Sequence, residues 1–259
     1  MPLLRWLLLF PLLLQASLAA ERWQRDAYLT ESFITSALGR EYQPGQDATL
    51  TRWEQPLRYF LVNQSGDKAQ QRELVTVQMT HLARLTDLSI QPVQHEAAAN
   101  LVVVMTRQAQ MGSWIERRMG DSADVQAARQ NGLCLGHFSS RGQQGIVRAT
   151  VLIPTDQARD KGKLLDCVVE ELTQVMGLPN DSDRVFPSIF NDRSIDHFLS
   201  PLDYLLIRML YSPGMRSGMN EREVRAALPA ILARLRQQGE MRDAPRRVNE
   251  GSLRQWAGL

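Results

Sequence analysis

The segment Leu164-Leu-Asp-Cys-Val-Val-Glu-Glu-Leu-Thr-Gln-Val-Met-Gly-Leu-Pro-Asn-Asp181 reads as one amphipathic helix with an abrupt end. At about 100° per residue, Leu164, Leu165, Val168, Val169, Leu172, Val175 and Met176 fall on one broad apolar face. Gly177 supplies a C-terminal cap and Pro179 forbids continuation. Glu170 and Gln174 are one turn apart and stack on the polar flank. Glu171 falls at the margin of the apolar stripe, where a carboxylate is partly desolvated.

Working back from this helix, residues 133–138 and 146–153 flank a Ser-Ser-Arg-Gly-Gln-Gln-Gly loop and predict a β-hairpin. The chain holds two cysteines, Cys134 before the hairpin and Cys167 in the helix. An even pair in an oxidising compartment most simply forms one disulfide, which would pin hairpin to helix. Closing a loop of about 33 residues contributes roughly 3–4 kcal/mol in the chain-entropy view. The competing reading is a metal half-site built on Cys134-Leu-Gly-His137.

Further upstream, Leu101-Val-Val-Val-Met105 is a continuous apolar run suited to a strand buried on both faces. Leu57 to Val62 reads as a strand, residues 69–86 as a long helix packing one face, and Leu88 to Val93 as an edge strand because of Pro92. Thr30 is expected to cap a short helix carrying Phe33, Ile34, Ala37 and Leu38, after a lead-in over residues 21–29. A turn-rich passage follows at 42–51, and residues 107–131 show no clear period.

Downstream, Val185 to Asp192 is a loop with aromatic anchors, Asp192 being read as a turn residue. Ser200-Pro201-Leu-Asp203 has the residues of a helix start, with Leu202, Leu205, Leu206, Met209 and Leu210 as the core face that follows. Asn220 caps another helix, which Pro229 is expected to kink or split. From Gly239 onward the chain is polar and reads as a mobile tail.

At the other end, Arg5, the apolar run Leu7 to Leu14 and Ser17-Leu18-Ala19 form a signal peptide over residues 1–19, an uncleaved anchor being the alternative. The domain expectation is therefore a signal peptide at 1–19, a folded domain at 20–219, and a C-terminal helix with tail at 220–259. It implies export, to a periplasm or outside the cell, with no transmembrane span after cleavage. Lys and Arg number 30 against 28 acids, a balance that argues against nucleic-acid binding. His81, His95, His137 and His197 have no metal-ligand spacing, and there is no P-loop, Rossmann fingerprint or serine nucleophile elbow.

The helix at 164–181 lies on the frame of the zinc-protease motif His-Glu-x-x-His-x-x-Gly-x-x-His. Glu170, Gln174 and Asn180 stand where the imidazoles would be, while Glu171 and Gly177 are kept. The order strand, long helix, strand, buried strand, hairpin, helix, loop, final helix resembles a metzincin catalytic domain, and Leu199 to Tyr211 resembles the closing helix of matrix-type metalloproteases. The chain more closely resembles an exported bacterial family called domain of unknown function 2927. The shared stretches are Phe33 to Tyr42, Cys167 to Asp181, Ser188-Ile-Phe-Asn-Asp192 and Ser200 to Tyr211.

These resemblances imply an α+β fold: a twisted mixed sheet, a long packing helix, an active-site-type helix and C-terminal helices. They imply a degenerate cleft of Glu170, Glu171, Gln174, Asn180 and Asp181, with Glu171 in the place of a general base. Amide oxygens are weak ligands for zinc, so no metal and no cofactor are expected. The expectation is a non-catalytic pseudoprotease that holds an extended peptide or an envelope protein. The alternative is a hydrolase with an unconventional Glu, Gln, Asn and Asp site.

Overall fold

The computed structural model describes residues 21–39, 48–191, 193–194 and 197–259. The expected signal peptide at 1–19, most of the turn-rich passage and Asp192 lie outside the described residues. The first helix, α1 (Asp26–Leu38), is followed by β1 (Leu57–Asn63), the long α2 (Lys68–Thr86) and the short β2 (Ile90–Pro92). Next come β3 (Leu101–Thr106), α3 (Met111–Arg118), α4 (Ala123–Asn131) and the hairpin β4 (Leu135–Ser140) and β5 (Ile146–Pro154). The chain then forms α5 (Thr155–Asp160), α6 (Leu164–Gln174), α7 (Pro201–Leu210), α8 (Glu221–Gln237), α9 (Glu240–Arg247) and α10 (Leu253–Trp256).

The strands form one sheet in the order β2-β1-β3-β5-β4, so the fold is α+β as expected. Neighbouring strands run parallel from β2 through β5, and only β4 runs antiparallel to its neighbour, pairing Gly136 with Val151 and Ser139 with Arg148. β3 is central, and all six of its residues are buried. Alternation sends Leu101, Val103 and Met105 into the main core, and Val102 and Val104 into a second cluster with Met111, Trp114 and Ile115 of α3 and Val125 of α4. That double burial is why β3 reads as an unbroken apolar run.

On the main-core face α2 packs against α6, and Gln78 donates through Nε2 to Thr173 Oγ1 at 3.2 Å within this buried contact. Asp67 caps α2 by accepting from the Ala69 and Gln70 amides. Asn220 and Glu223 form a reciprocal capping box at the start of α8, and Ser200 and Asp203 do the same for α7.

Four expectations need correction. Helix α1 starts at Asp26 behind Arg25, not at Thr30, because Trp23 and Leu29 are buried and draw the lead-in into the core. The unassigned stretch 107–131 holds α3 and α4; the apolar spacing Met111, Trp114, Ile115 is helical but too short to stand out. Of the two outcomes expected at Pro229, splitting is excluded, since α8 runs through it. The polar C-terminus is not a mobile tail, since α9 and α10 bury Met241, Ala244 and Leu253, with Val248 between them. Arginine heads on the outer side mask that narrow stripe in the sequence. Buried Glu240 fixes α9 to α7 by accepting from Tyr204 Oη and from Arg247 Nη1, the latter at 2.9 Å.

Candidate functional site

Helix α6 carries the candidate residues, and its placement follows from its apolar stripe. Val168, Val169, Leu172, Val175 and Met176 are buried, with Leu164 and Leu165 packed at the margin of the core. The helix proper ends at Gln174, and Gly177 turns the chain with φ of 116°. A Cβ at residue 177 would sit 2.1 Å from the Thr51 carbonyl oxygen, so only glycine fits. The carbonyls orphaned at this end are satisfied by side chains: Trp53 Nε1 donates to Val175 O at 2.9 Å and Tyr211 Oη to Met176 O at 2.8 Å. Burial pushes the Tyr211 hydroxyl well above its ordinary value, so it acts as a fixed donor.

The sequence-derived cleft residues separate into three groups. Gln174 and Asp181 come together, with Gln174 Nε2 donating to Asp181 Oδ1 at 2.8 Å. Asn180 is committed elsewhere: its Nδ2 donates to Thr35 O at 2.9 Å and its backbone N–H to Ser36 O at 3.2 Å, both at the C-terminal end of α1. A Cβ on Gly39 would meet Asn180 Nδ2 at 2.4 Å, so the approach of these two segments is close. Glu170 lies one turn before Gln174 on the half-exposed flank.

Glu171 forms the third group. It is only 7 % exposed, although it carries a carboxylate. Its neighbour is strand β4, where a Cβ at Gly136 would lie 2.9 Å from Glu171 Oε2 and 3.1 Å from Val175 Cγ1. The absent side chain of Gly136 therefore lets the edge strand run directly beside α6. The disulfide Cys134–Cys167, expected from the cysteine count, locks this juxtaposition two residues before Gly136 and four before Glu171. Among the described residues there is no free cysteine, and the half-site built on Cys134 and His137 falls away.

Two buried arrangements were not singled out in the sequence. Asp166, one turn before Glu170, accepts from Lys163 Nζ at 2.6 Å and meets His197 Nδ1 at 3.0 Å through either oxygen. Asp203 is fully buried and goes beyond a helix cap: it accepts from Ser188 Oγ at 2.5 Å, Ile189 N at 3.0 Å and Ser200 N at 2.8 Å. Burial pushes its carboxyl up to about 6, against the opposing pull of those donors. The serines at 188 and 200 were visible, but only the fold brings them to one carboxylate.

The chemistry of the donor set does not fit zinc. The three positions of the motif offer one carboxylate and two amides, and both amides are engaged as struts to Asp181 and to α1. Among the described residues, no cluster of three His, Cys, Asp or Glu side chains is arranged to hold a metal ion. What the arrangement does offer is an edge strand paired with β5 on one side, with α6 packed against one of its faces. The family model described as "Protein of unknown function (DUF2927)" matches residues 26–230. No curated protein matches the chain.

Proposed function

We propose that this chain, which belongs to the DUF2927 family, is an exported, non-catalytic binding protein that holds an extended polypeptide segment by strand addition to β4. In this reading the framework is metzincin-like, with the zinc-binding histidines replaced by Glu170, Gln174 and Asn180, and the protein works in the bacterial envelope.

One observation carries the proposal. β4 closes one edge of the sheet, is its single antiparallel member, and has an exposed backbone at Gly136 directly beside α6. An edge strand presents unpaired main-chain groups to an incoming strand, and pockets beside it read alternate side chains. The order of elements behind the metzincin comparison runs along the chain with α3 and α4 inserted before the hairpin and α5 before α6. The disulfide is consistent with an oxidising compartment. No helix among the described residues is long and apolar enough to cross a membrane.

The hydrolase reading draws on the burial of Glu171 beside that same edge. Elemental analysis and turnover separate the two. Natively exported protein, purified without chelators, is expected to carry no stoichiometric metal. Addition of a binding segment is expected to slow amide hydrogen exchange along β4, in Glu171→Gln as in the parent. Stoichiometric zinc, or peptide hydrolysis abolished by Glu171→Gln, defeats the proposal.

A further inference from the structure

Resting on the strand-addition reading, we infer that the occupant of the β4 edge is an acidic extended segment with its carboxylates on alternate residues, facing Arg148. From Leu133 to Pro154 the chain contains no Asp or Glu, yet it contains Arg141 and Arg148. Ser139 stands opposite Arg148 in the hairpin register, so both side chains leave the same face of the sheet. It is the face opposite Ala149 and Val151, which point into the main core.

At the other end of the hairpin this same face is covered, because Leu135 and Leu152 are buried with the α3 and α4 side chains. Toward the tip the cover ends, and Ser139, Ser140 and Arg148 are all exposed. No hydrogen bond or ion pair holds the Arg148 guanidinium among the described residues. The result is a cationic corner at the sheet edge that the fold does not neutralise.

The geometry makes that corner selective. A strand added to β4 lies two strand spacings from β5, about 10 Å. Ser139 is too short to obstruct the gap, and an arginine reaching outward meets a carboxylate reaching back. A second carboxylate, further along the segment, falls near Arg141 at the tip. On its other face the added strand passes Gly136 and the wall made by Glu171. That face is walled by α6, so acids are accepted on the Arg148 face only and their period is two.

The test uses the disulfide-bonded chain from Glu21 onward and three extended peptides. One carries Glu at alternate positions, and the others carry Gln or Lys at those positions. The Glu peptide is expected to bind about five-fold tighter than the Gln peptide, with the difference shrinking as salt rises. Arg148→Glu is expected to reverse the order in favour of the Lys peptide, with β4 amides protected in both complexes. Equal binding of all three peptides, unmoved by Arg148→Glu, overturns the charge assignment and leaves strand addition standing. If none of the peptides protects the β4 amides, strand addition falls as well. Anionic vesicles or single-stranded DNA that bind through Arg148 in place of the peptides overturn the inference.

Discussion

At the C-terminal end of α6 and along the adjoining loop, polar side chains are turned inward; along β4, a few ångströms away, they are turned outward. Trp53 and Tyr211 close the helix end, Asn180 ties the following loop to α1, and Asp203 gathers Ser188, Ile189 and Ser200 around one buried carboxylate. On β4 and its partner, Gly136, Ser139, Ser140 and Arg148 are exposed. The difference separates two roles that a motif comparison would merge. Gln174 and Asn180 act as fasteners, and the exposed polar groups lie on the neighbouring strand.

The comparison breaks most readily at Asp203. Asp203→Ala strands three buried donors, and chemical denaturation is expected to show a loss of about 4 kcal/mol. A loss no larger than that of a surface substitution would remove Asp203 from the fasteners. Next in size is the link between the regions. Replacing both Cys134 and Cys167 by Ser is expected to cost about 3 kcal/mol, read as a lowered midpoint of unfolding. Exchange should then rise in β4 more than in β3.

Two buried titrating groups, Asp203 on the inward-turned side and His81 on α2, set opposite pH slopes. The Asp203 carboxyl is raised from 3.8 to about 6, so its contribution is full below pH 4 and lost as pH rises through 6. His81, on α2, is lowered from 6.5 to about 4 by burial and by Arg84. Its contribution is full above pH 6.5 and lost as pH falls through 4. The parent is therefore expected to show a shallow profile between these limits. His81→Leu should leave a stability that falls with rising pH, by about 2 kcal/mol; a rising profile in that variant would reverse the assignment.

Smaller effects sharpen the boundary between the regions. Gly136→Ala forces a Cβ against Glu171 and is expected to destabilise by about 1 kcal/mol. Combined with Glu171→Ala, the cost should be less than the sum of the two, which a double-mutant cycle measures. Gln174→Ala removes the strut to Asp181 and should cost about 1 kcal/mol or less, with no change in peptide binding at β4.

Most of the framework was legible because its signals are local. The apolar run of β3, the period of α2, the hairpin before Cys167 and the capping residues at Ser200 and Asn220 each act within a few positions. Less of the candidate site could be read. Glu171 at the apolar margin and the pairing of Cys134 with Cys167 were anticipated, whereas the hydrogen-bond partners of Gln174 and Asn180 were not. The partner of Asn180 lies 145 residues away on α1, and no spacing rule reaches that far. The packing of α9 and α10 was hidden because arginines flank a stripe only one residue wide.

By itself the sequence determined most of the elements, their order and the amphipathic face that seats α6, since periodicity, capping and chain reversal depend on neighbours along the chain. Tertiary structure alone decided that Gly136 lies against Glu171, that Asn180 is bonded to α1, and that Arg148 pairs with Ser139 on the last strand of the sheet. Those relations depend on which strand becomes the last in the sheet and on how closely a helix can approach it. Such distances are fixed only when the core closes.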